Sequence, residues 1–149
     1  MTSFSVIIDT REQDKRIEQT LSVRNIPFTK RKLDFGDFSF EWKGKSYEKE
    51  IVIERKASID EIVGNFTKGR KRFENEFKRA KDVNVHLMIE ADKNDIKNHK
   101  YRSTMTPSEV NSFINTWCYV FQLKLKFIEK DKATDYILQT FKDYLLKGD

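Results

Sequence analysis

Hydrophobic and polar positions along this chain follow two periods, which divide it into strands and helices. Short apolar or alternating runs predict strands, at 4–9, 28–34, 38–42, 50–56, 83–91 and 123–129. Apolar residues spaced three and four apart predict helices, at about 12–25, from 58 onwards, at 70–81, from 107 onwards and from 133 onwards. The resulting order, β-α-β-β-β-α-α-β-α-β-α, predicts an α/β fold in which helices flank a central mixed β-sheet.

Cap and turn residues mark several of the predicted boundaries. Two capping-box pairs, the kind that opens a helix, are Ser58 with Glu61 and Thr106 with Glu109. Residues 43–46 predict a turn that joins the strands beside it into a hairpin or meander, and the polar segment 92–105 predicts a loop. No repeat or linker interrupts the sequence, so we expect one domain over residues 1–149.

Composition narrows the class of protein. The chain has 149 residues, 36% of them charged and 38% hydrophobic, which is typical of a globular domain. No apolar stretch is long enough to span a bilayer, and the N-terminal run turns polar too early for a secretory signal. We therefore expect a cytosolic location, at the nucleoid of a bacterium or in the nucleus of a eukaryote, and no membrane partner. One cysteine, Cys118, and two separated histidines give no zinc pattern, and we expect no small-molecule cofactor.

Positive charge is in excess and is concentrated in one segment. The formal net charge is +5 and the pI is about 9.2, which suits a phosphate-bearing partner such as nucleic acid. A run of like charges is usually a solvated face, but this run directly follows the helix predicted from residue 58 onwards. We predict that it contacts the DNA backbone through Lys68, Arg70, Lys71, Arg72, Lys78 and Arg79.

One predicted strand carries an acid and a base on the same face. Alternation along the strand places Glu54 and Lys56 together and turns Arg55 to the other face. Asp37 stands at the entrance to the strand that we expect to pair with this one, and Asp9 brings a third acid if it ends an adjacent strand. Carboxylates suit Mg²⁺, which prefers oxygen ligands and retains several waters. A lysine beside them orients the attacking water in phosphodiester hydrolysis or stabilises developing charge.

Each of these features has an ordinary structural explanation when it is taken alone. A Glu-x-Lys triplet arises by chance in a chain this rich in charge, and it usually lies on a solvated strand face. A Gly-Asp pair usually marks a turn. Neither motif by itself indicates an enzyme.

The combination of these motifs is more specific. Gly36-Asp37, Glu54-Arg55-Lys56 and Asp60 spell GD…ERKxxxD, which resembles the signature of the XPF-type structure-specific endonuclease family of the restriction-endonuclease-like superfamily. Further segments that resemble this family, in the family's order, are Asp9-Thr10-Arg11-Glu12, Gly69-Arg70 and Leu87-Met88-Ile89-Glu90. The resemblance covers nearly the whole chain and implies a restriction-endonuclease-like fold.

The resemblance also implies roles for the matched acids and the lysine. Asp37 and Glu54 are the implied ligands of Mg²⁺ or Mn²⁺, and Lys56 is the implied residue that positions or activates the attacking water. Asp9 and Glu12 are implied to support the metal through water or to orient basic residues, with Asp9 a candidate third ligand.

Other matched residues carry two alternatives each. Arg55 contributes through its backbone carbonyl or through a charge contact. Asp60 supports catalysis or serves only as a helix-start carboxylate. Arg11 and Arg70 contact phosphate, or they pair with the acids and hold the site together. Family relatives pair through their nuclease domains, so the aromatic C-terminal helices are candidates for a homodimer face.

The function implied by the resemblance is a metal-dependent DNA endonuclease that hydrolyses phosphodiester bonds at branched or flapped DNA in repair, recombination or replication. We expect neither the helicase nor the tandem helix-hairpin-helix module of larger relatives in 149 residues, so a preference for branched DNA is left open. The alternative is a non-catalytic DNA-binding or assembly module of the same fold. Retention of the complete GD…ERK set favours the enzyme, and the motif alone does not separate DNA from RNA.

Overall fold

A mixed seven-stranded sheet forms the centre of the molecule in the computed structural model, which describes residues 3–148. Its strands are β1 (Phe4–Ile8), β2 (Phe28–Lys30), β3 (Phe38–Trp42), β4 (Lys45–Ser46), β5 (Ile51–Lys56), β6 (Asn84–Ile89) and β7 (Lys124–Phe127). The helices are α1 (Arg16–Val23), α2 (Ile59–Phe66), α3 (Arg70–Arg79), α4 (Asn94–Lys97), α5 (Pro107–Val120) and α6 (Ala133–Lys147). In this range no helix has the length and apolar character needed to cross a membrane.

The strand order explains why the sheet is mixed. The order is β2-β1-β3-β5-β6-β7, and β4 pairs with β3. β1 is parallel to β2 but antiparallel to β3, and β3 is antiparallel to β5. β6 is parallel to both β5 and β7. The predicted α/β fold with a central mixed sheet is confirmed.

Helices cover both faces of the sheet and bury two apolar clusters. Val52 of β5 packs in the cluster of α2, α3 and α5, whereas Ile51 and Ile53 pack in the cluster of α1 and α6. These three side chains are at most 1% exposed, and burying one of this size contributes about 1.5–3 kcal/mol. Alternate residues of β5 therefore belong to opposite faces, as the alternation predicts.

One edge of the sheet gathers the ends of three neighbouring strands. The end of β1 lies opposite the start of β3, whose Phe38 pairs with Ile53 of β5. The backbone N–H of Asp9 donates to the carbonyl of Asp37, and that of Asp37 donates to the carbonyl of Ile53, each at 2.9 Å. Asp9, Asp37 and Glu54 therefore lie on adjacent strand ends.

The first helix is shorter than the spacing predicts. The prediction for residues 12–25 is wrong at both ends, because α1 covers Arg16–Val23. At the start, the carboxylate of Glu12 accepts the backbone N–H of Asp14, and Asp14 accepts that of Arg16. Such local bonds compete with the helical ladder. At the other end Asn25 adopts a left-handed φ of 57° and stops the helix.

Several other segments differ from the prediction, and three of them have a clear structural reason. Residues 31–34 lie outside β2, since the Leu33 N–H donates to the Asp9 carboxylate instead of to a sheet partner. The predicted turn at 43–46 is tighter, because Lys45–Ser46 pairs with β3 as β4. The predicted loop at 92–105 contains α4, which is held by the fully buried Ile96.

The predicted helix starts are present in the structure. Thr106 and Glu109 form a complete capping box at the start of α5. Ser58 accepts the backbone N–H of Glu61 at 3.1 Å, but the Glu61 carboxylate accepts the N–H of Ala57 instead of that of Ser58. Both arrangements satisfy N–H groups that the helix leaves unpaired. The start of α2 therefore lies three residues after Lys56.

Candidate active site

A cavity of about 340 Å³ opens between the gathered strand ends and helices α2 and α3. Its charged lining residues are Asp9, Arg11, Asp34, Asp37, Glu54, Lys56, Arg72, Glu76 and Arg79. A concave site where charged groups converge is the expected location for binding or chemistry. The GD and ERK motifs therefore contribute to the same cavity.

Gly36 places Asp37 at this position for a local reason. Its φ is +84°, a conformation that L side chains rarely adopt, and a Cβ there would lie 2.8 Å from the Cβ of Val52. The backbone N–H of Arg55 donates to Asp37 Oδ2 at 2.7 Å. Gly36 permits the turn into β3, and the Arg55 N–H of β5 orients the carboxylate of Asp37.

Asp37 and Glu54 form a pair of like charges that is only partly exposed. Burial raises the pKa of Glu54 well above its ordinary value, and the charge of Asp37 raises it further. Burial also raises the pKa of Asp37, although hydrogen bonding with Glu54 and with the Arg55 N–H counteracts part of the rise. Two carboxylates in such contact are stable only when they share a proton or face a cation.

The donor chemistry of the pair fits a hydrated divalent cation. Within residues 3–148, no three His, Cys, Asp or Glu side chains come close enough together to hold a metal ion by themselves. Two carboxylates remain, and this is the number with which proteins usually bind Mg²⁺, because the ion keeps several of its waters. Asp37 and Glu54 therefore suit Mg²⁺ or Mn²⁺ better than an ion that needs a closed set of protein ligands.

Asp9 borders the cavity, but protein donors already occupy its carboxylate. It accepts two side-chain bonds from Arg11, at 2.8 and 3.1 Å, and backbone bonds from Arg11 and Leu33, at 3.0 and 2.8 Å. Burial opposes its ionisation, yet these hydrogen bonds outweigh burial and lower the pKa of Asp9. The carboxylate is therefore stable as an anion without a metal, unlike the Asp37–Glu54 pair.

Lys56 brings a nearly buried positive charge to the same cavity. Its side chain is 9% exposed, and its Nζ lies 3.9 Å from Glu54 Oε1. On its other side the ammonium lies over the ring of Phe73, 5.0 Å from the centroid. Glu54 and Lys56 thus point into one cavity from the same strand face, as the alternation predicts.

Arg55 turns to the opposite face of the sheet, where acids surround it. Its guanidinium bonds to Glu90 at 2.8 and 3.0 Å, to Glu12 at 3.1 Å and to Asp14 at 2.8 Å. Arg16 bonds to Glu90 and Asp14 in turn. The side chains of Arg55 and Glu90 are 7% and 0% exposed, so this is a buried ion-pair network.

Glu12 belongs to this network and not to the cavity lining. Burial raises the pKa of Glu12, and the nearby charge of Asp37 adds to the rise. Glu12 is also linked to the site through Arg55, because it accepts a hydrogen bond from the Arg55 guanidinium and the backbone N–H of Arg55 donates to Asp37. Arg55 therefore contacts the carboxylate pair through its N–H, whereas the sequence left open a carbonyl or a charge contact.

Several predicted residues lie elsewhere. Asp60 accepts the backbone N–H of Arg102 at 2.8 Å, so it ties the start of α2 to the loop before α5. Arg70 pairs with Glu74 on its own helix at 2.9 Å. Lys78 lies beside the end of α5, away from the cavity. None of these three side chains lines the cavity.

The other predicted basic residues lie next to the cavity. Arg72 and Arg79 line it directly, and they also border an adjoining depression, together with Arg11, Lys68 and Lys71. We call these five residues the basic wall. Arg11, Lys68, Lys71, Arg72 and Arg79 converge although they come from two separate segments of the chain.

A family model described as the ERCC4 domain matches residues 8–141. The chain belongs to this family. The fold agrees with that of the XPF nuclease domain, since XPF from Aeropyrum pernix aligns with a TM-score of 0.71 and 16% identity over 93% of this chain and 60% of that one. XPF from Aeropyrum pernix in complex with DNA aligns with a TM-score of 0.71 and 16% identity, over 97% of this chain and 66% of that one.

The ERCC4 domain described here thus spans less than two thirds of the length of those two relatives. A comparison with curated protein sequences finds no match. The family match and the shared fold confirm the XPF-type resemblance and the restriction-endonuclease-like fold predicted from the motifs.

The sequence interpretation did not select five cavity residues of this ERCC4 domain, of which Asp34 and Phe35 directly precede Gly36. Phe73 and Glu76 line it from α3, and Asn65 lines it from α2 with a buried Oδ1 that has no partner among the described residues. A periodic pattern in the sequence could have identified the face of α3 that lines the cavity. Gly69, Arg72, Phe73, Glu76 and Arg79 recur at helical spacing, so the apolar Phe73 also marks the charged residues beside it.

Proposed function

We propose that this ERCC4 domain is a divalent-metal-dependent DNA endonuclease that hydrolyses phosphodiester bonds in the cavity. The observation that carries the proposal is the Asp37–Glu54 pair beside a nearly buried lysine, in which burial raises both pKa values and the charge of Asp37 raises that of Glu54 further. Such an arrangement destabilises a fold unless a ligand relieves it. Unrelieved like charge in a cleft is a recurring property of catalytic sites.

The cavity residues divide the chemistry among them. Asp37 and Glu54 would hold Mg²⁺ or Mn²⁺, which when bound neutralises phosphoryl charge and lowers the pKa of a water. Lys56 would donate to the attacking water or to a phosphate oxygen. The Arg55 N–H fixes one carboxylate oxygen of Asp37. Asp9, which is already saturated with hydrogen bonds, would orient Arg11 towards the substrate.

DNA is the substrate that the charge distribution favours. The basic wall borders the carboxylate pair and would bind phosphates on either side of the scissile bond. Contacts of this kind position a strand but do not read its bases, so we expect cleavage without sequence preference. The DNA complex of the A. pernix relative supports the assignment by analogy of fold.

The test is cleavage of a labelled panel of duplex, single-stranded, flap, fork and four-way DNAs, with matched RNAs, in Mg²⁺, Mn²⁺ or chelator. We expect metal-dependent nicking or cleavage of at least one DNA, and its loss in Glu54→Gln. The panel also determines whether branched or flapped DNA, the substrate class of repair and recombination nucleases, is preferred. Binding of DNA with no turnover in any metal would instead indicate a non-catalytic binding module.

The homodimer remains a prediction, and fewer aromatic residues are available for a subunit interface than the sequence suggested. Trp117 is 6% exposed and packs within its own core, so it is not available to a partner. Tyr119 and Leu146 are 86% and 82% exposed and are the better candidates for a subunit face. Light scattering over a range of protein concentrations tests this, and a constant monomer mass would count against it.

A further inference from the structure

Phe73 makes a contact with Lys56 that the proposed endonuclease mechanism does not yet use. The Lys56 ammonium lies 5.0 Å from the centroid of the Phe73 ring, on its face, and both residues line the cavity. A cation in this position is attracted by the negative face of the ring. The contact joins the strand that carries the ERK motif to the helix that forms the opposite wall.

We infer that Phe73 is a positioning residue for Lys56, which it holds in the cavity without occupying the N–H donors of the ammonium. The inference rests on the proposed function, in which those donors serve water or phosphate. Glu54 Oε1, at 3.9 Å, attracts the same ammonium from beyond hydrogen-bond distance. An aromatic face therefore stabilises the charge where a second carboxylate would bind its protons.

The orientation of the Phe73 ring is itself fixed by other rings. Phe73 is 2% exposed. It stacks on Trp117 of α5 with centroids 4.5 Å apart and an interplanar angle of 28°, and it meets the edge of Phe77 at 4.5 Å and 87°. These two contacts leave the ring little freedom to rotate away. Lys56 thus lies over a ring whose orientation is fixed by packing in the core.

A purely structural role for Phe73 makes a different prediction from a positioning role. If the ring only fills the core, its loss should act through stability, as the loss of any comparable ring would. Phe66 provides the matched control, because it is 4% exposed, packs on the same Trp117 at 4.7 Å and does not line the cavity. Phe66→Leu and Phe73→Leu remove rings of the same size from the same cluster.

Fluorination separates the two roles more sharply than truncation. Replacing Phe73 by 3,4,5-trifluorophenylalanine nearly keeps the shape of the ring and largely removes the negative electrostatic potential of its face. We expect kcat for DNA cleavage to fall roughly tenfold, the fold-change equivalent to a partly desolvated cation–π contact, with KM within about twofold. The same replacement at Phe66 should change neither. An unchanged kcat in fluorinated Phe73 would overturn the inference.

A second measurement needs neither metal nor DNA. The face of an aromatic ring shifts the NMR signals of nearby protons upfield, so the ε-methylene protons of Lys56 should resonate upfield in the wild type. They should move towards ordinary lysine values in Phe73→Leu and stay in place in Phe66→Leu. A wild-type Lys56 at ordinary values would show that the contact does not exist in solution.

The two measurements keep failure of this inference distinct from failure of the proposed function. A wild type that cleaves no nucleic acid in any metal overturns the endonuclease and the catalytic role of the contact together, whatever the spectrum shows. An active wild type whose cleavage is indifferent to fluorination at Phe73 overturns the positioning role alone.

Discussion

The two faces of β5 at its carboxyl end arrange charge in opposite ways. On the cavity face, Glu54 lies against Asp37, and the Lys56 ammonium remains 3.9 Å from the Glu54 carboxylate. On the other face, Arg55 bonds to three carboxylates at 2.8 to 3.1 Å. Like charges meet on the first face, whereas on the second each carboxylate is paired with at least one of two arginines.

This difference shows how consecutive residues of one strand serve two purposes. The Arg55 network stabilises the junction of β5, β6 and the segment before α1, because each buried charge has a partner. Lys56 offsets the repulsion within the Asp37–Glu54 pair only in part, so a proton or a metal ion would stabilise the pair further. Sites that bind ligands often keep such local conflicts, and the rest of the fold compensates for them.

Substitution within the carboxylate pair should produce the largest effect. We expect Glu54→Gln or Asp37→Asn to reduce metal-dependent DNA cleavage by roughly a thousandfold, because the developing charge loses its stabilisation. The free energy of unfolding should not fall, since the substitution removes like-charge repulsion. Nicking assays and urea denaturation measure the two quantities, with Glu74→Gln on the outer part of α3 as the control. A parallel loss of stability would contradict the comparison.

Breaking the network on the far face should act on stability. Glu90→Ala leaves Arg55 and Arg16 without their shared buried partner, which should lower the free energy of unfolding by about 3–5 kcal/mol. Arg24→Ala, which removes an exposed ion pair with Asp135, should cost at most about 1 kcal/mol. Urea denaturation of the three proteins tests this. Equal decreases in the free energy of unfolding in the two variants would mean that the buried network stabilises the fold no more than an exposed ion pair does.

The pH dependence of stability should distinguish the carboxylate pair from the network. The folded pKa values of Glu54 and Asp37 are raised, so the native state binds more protons than the unfolded state, and stability falls as pH rises through those values. Wild type should lose stability relative to Glu54→Gln as the pH rises above the ordinary pKa of a glutamate side chain. Denaturation curves at several pH values measure the difference in the free energy of unfolding between the two proteins. A difference that does not change with pH would contradict the raised pKa values of the pair.

Added metal should reverse that loss. Mg²⁺ that binds only the folded state at a hundredfold excess over Kd adds about 2.7 kcal/mol to the free energy of unfolding. The gain should be larger above the raised pKa values than below them, because the cation competes with the shared proton. Thermal denaturation with Mg²⁺ or chelator measures it. An equal shift in Glu54→Gln would place the cation elsewhere.

The smallest expected effect concerns the basic wall. Lys71→Ala should lower the slope of log affinity for DNA against log salt concentration by about one, the change expected for one lost phosphate contact. Lys78→Ala, on the same helix but away from the cavity, should leave the slope unchanged. Fluorescence anisotropy over a salt series measures both. Identical slopes in the two variants would mean that basic residues of α3 contact DNA whether or not they lie near the cavity.

The local sequence pattern was sufficient to predict much of the fold and the acids and lysine of the candidate site. The alternation of β5 separates Glu54 and Lys56 from Arg55, because successive side chains of any strand point to opposite faces. The Gly36-Asp37 pair is typical of a turn, and the structure has Gly36 at a φ of +84° there. The start of α5 at Pro107 is encoded within four residues. Each of these features depends on neighbours a few positions away.

Partners distant in the chain depended on the packed sheet. Arg55 meets Glu90 35 positions away and Glu12 43 positions away, and Asp9 binds the Leu33 N–H 24 positions away. The same packing directs Asp60 to Arg102 instead of to the cavity.

The motif therefore identifies which residue types form the candidate site, and the strand order determines where their side chains lie. GD and ERK specify the acids and the lysine because short-range geometry is written in residue type and spacing. Which carboxylates remain uncompensated, and which are neutralised by arginine, follows from the neighbours that β1, β3 and β6 bring to β5. Those neighbours are set by the burial of two apolar clusters, a cooperative property that no single segment contains.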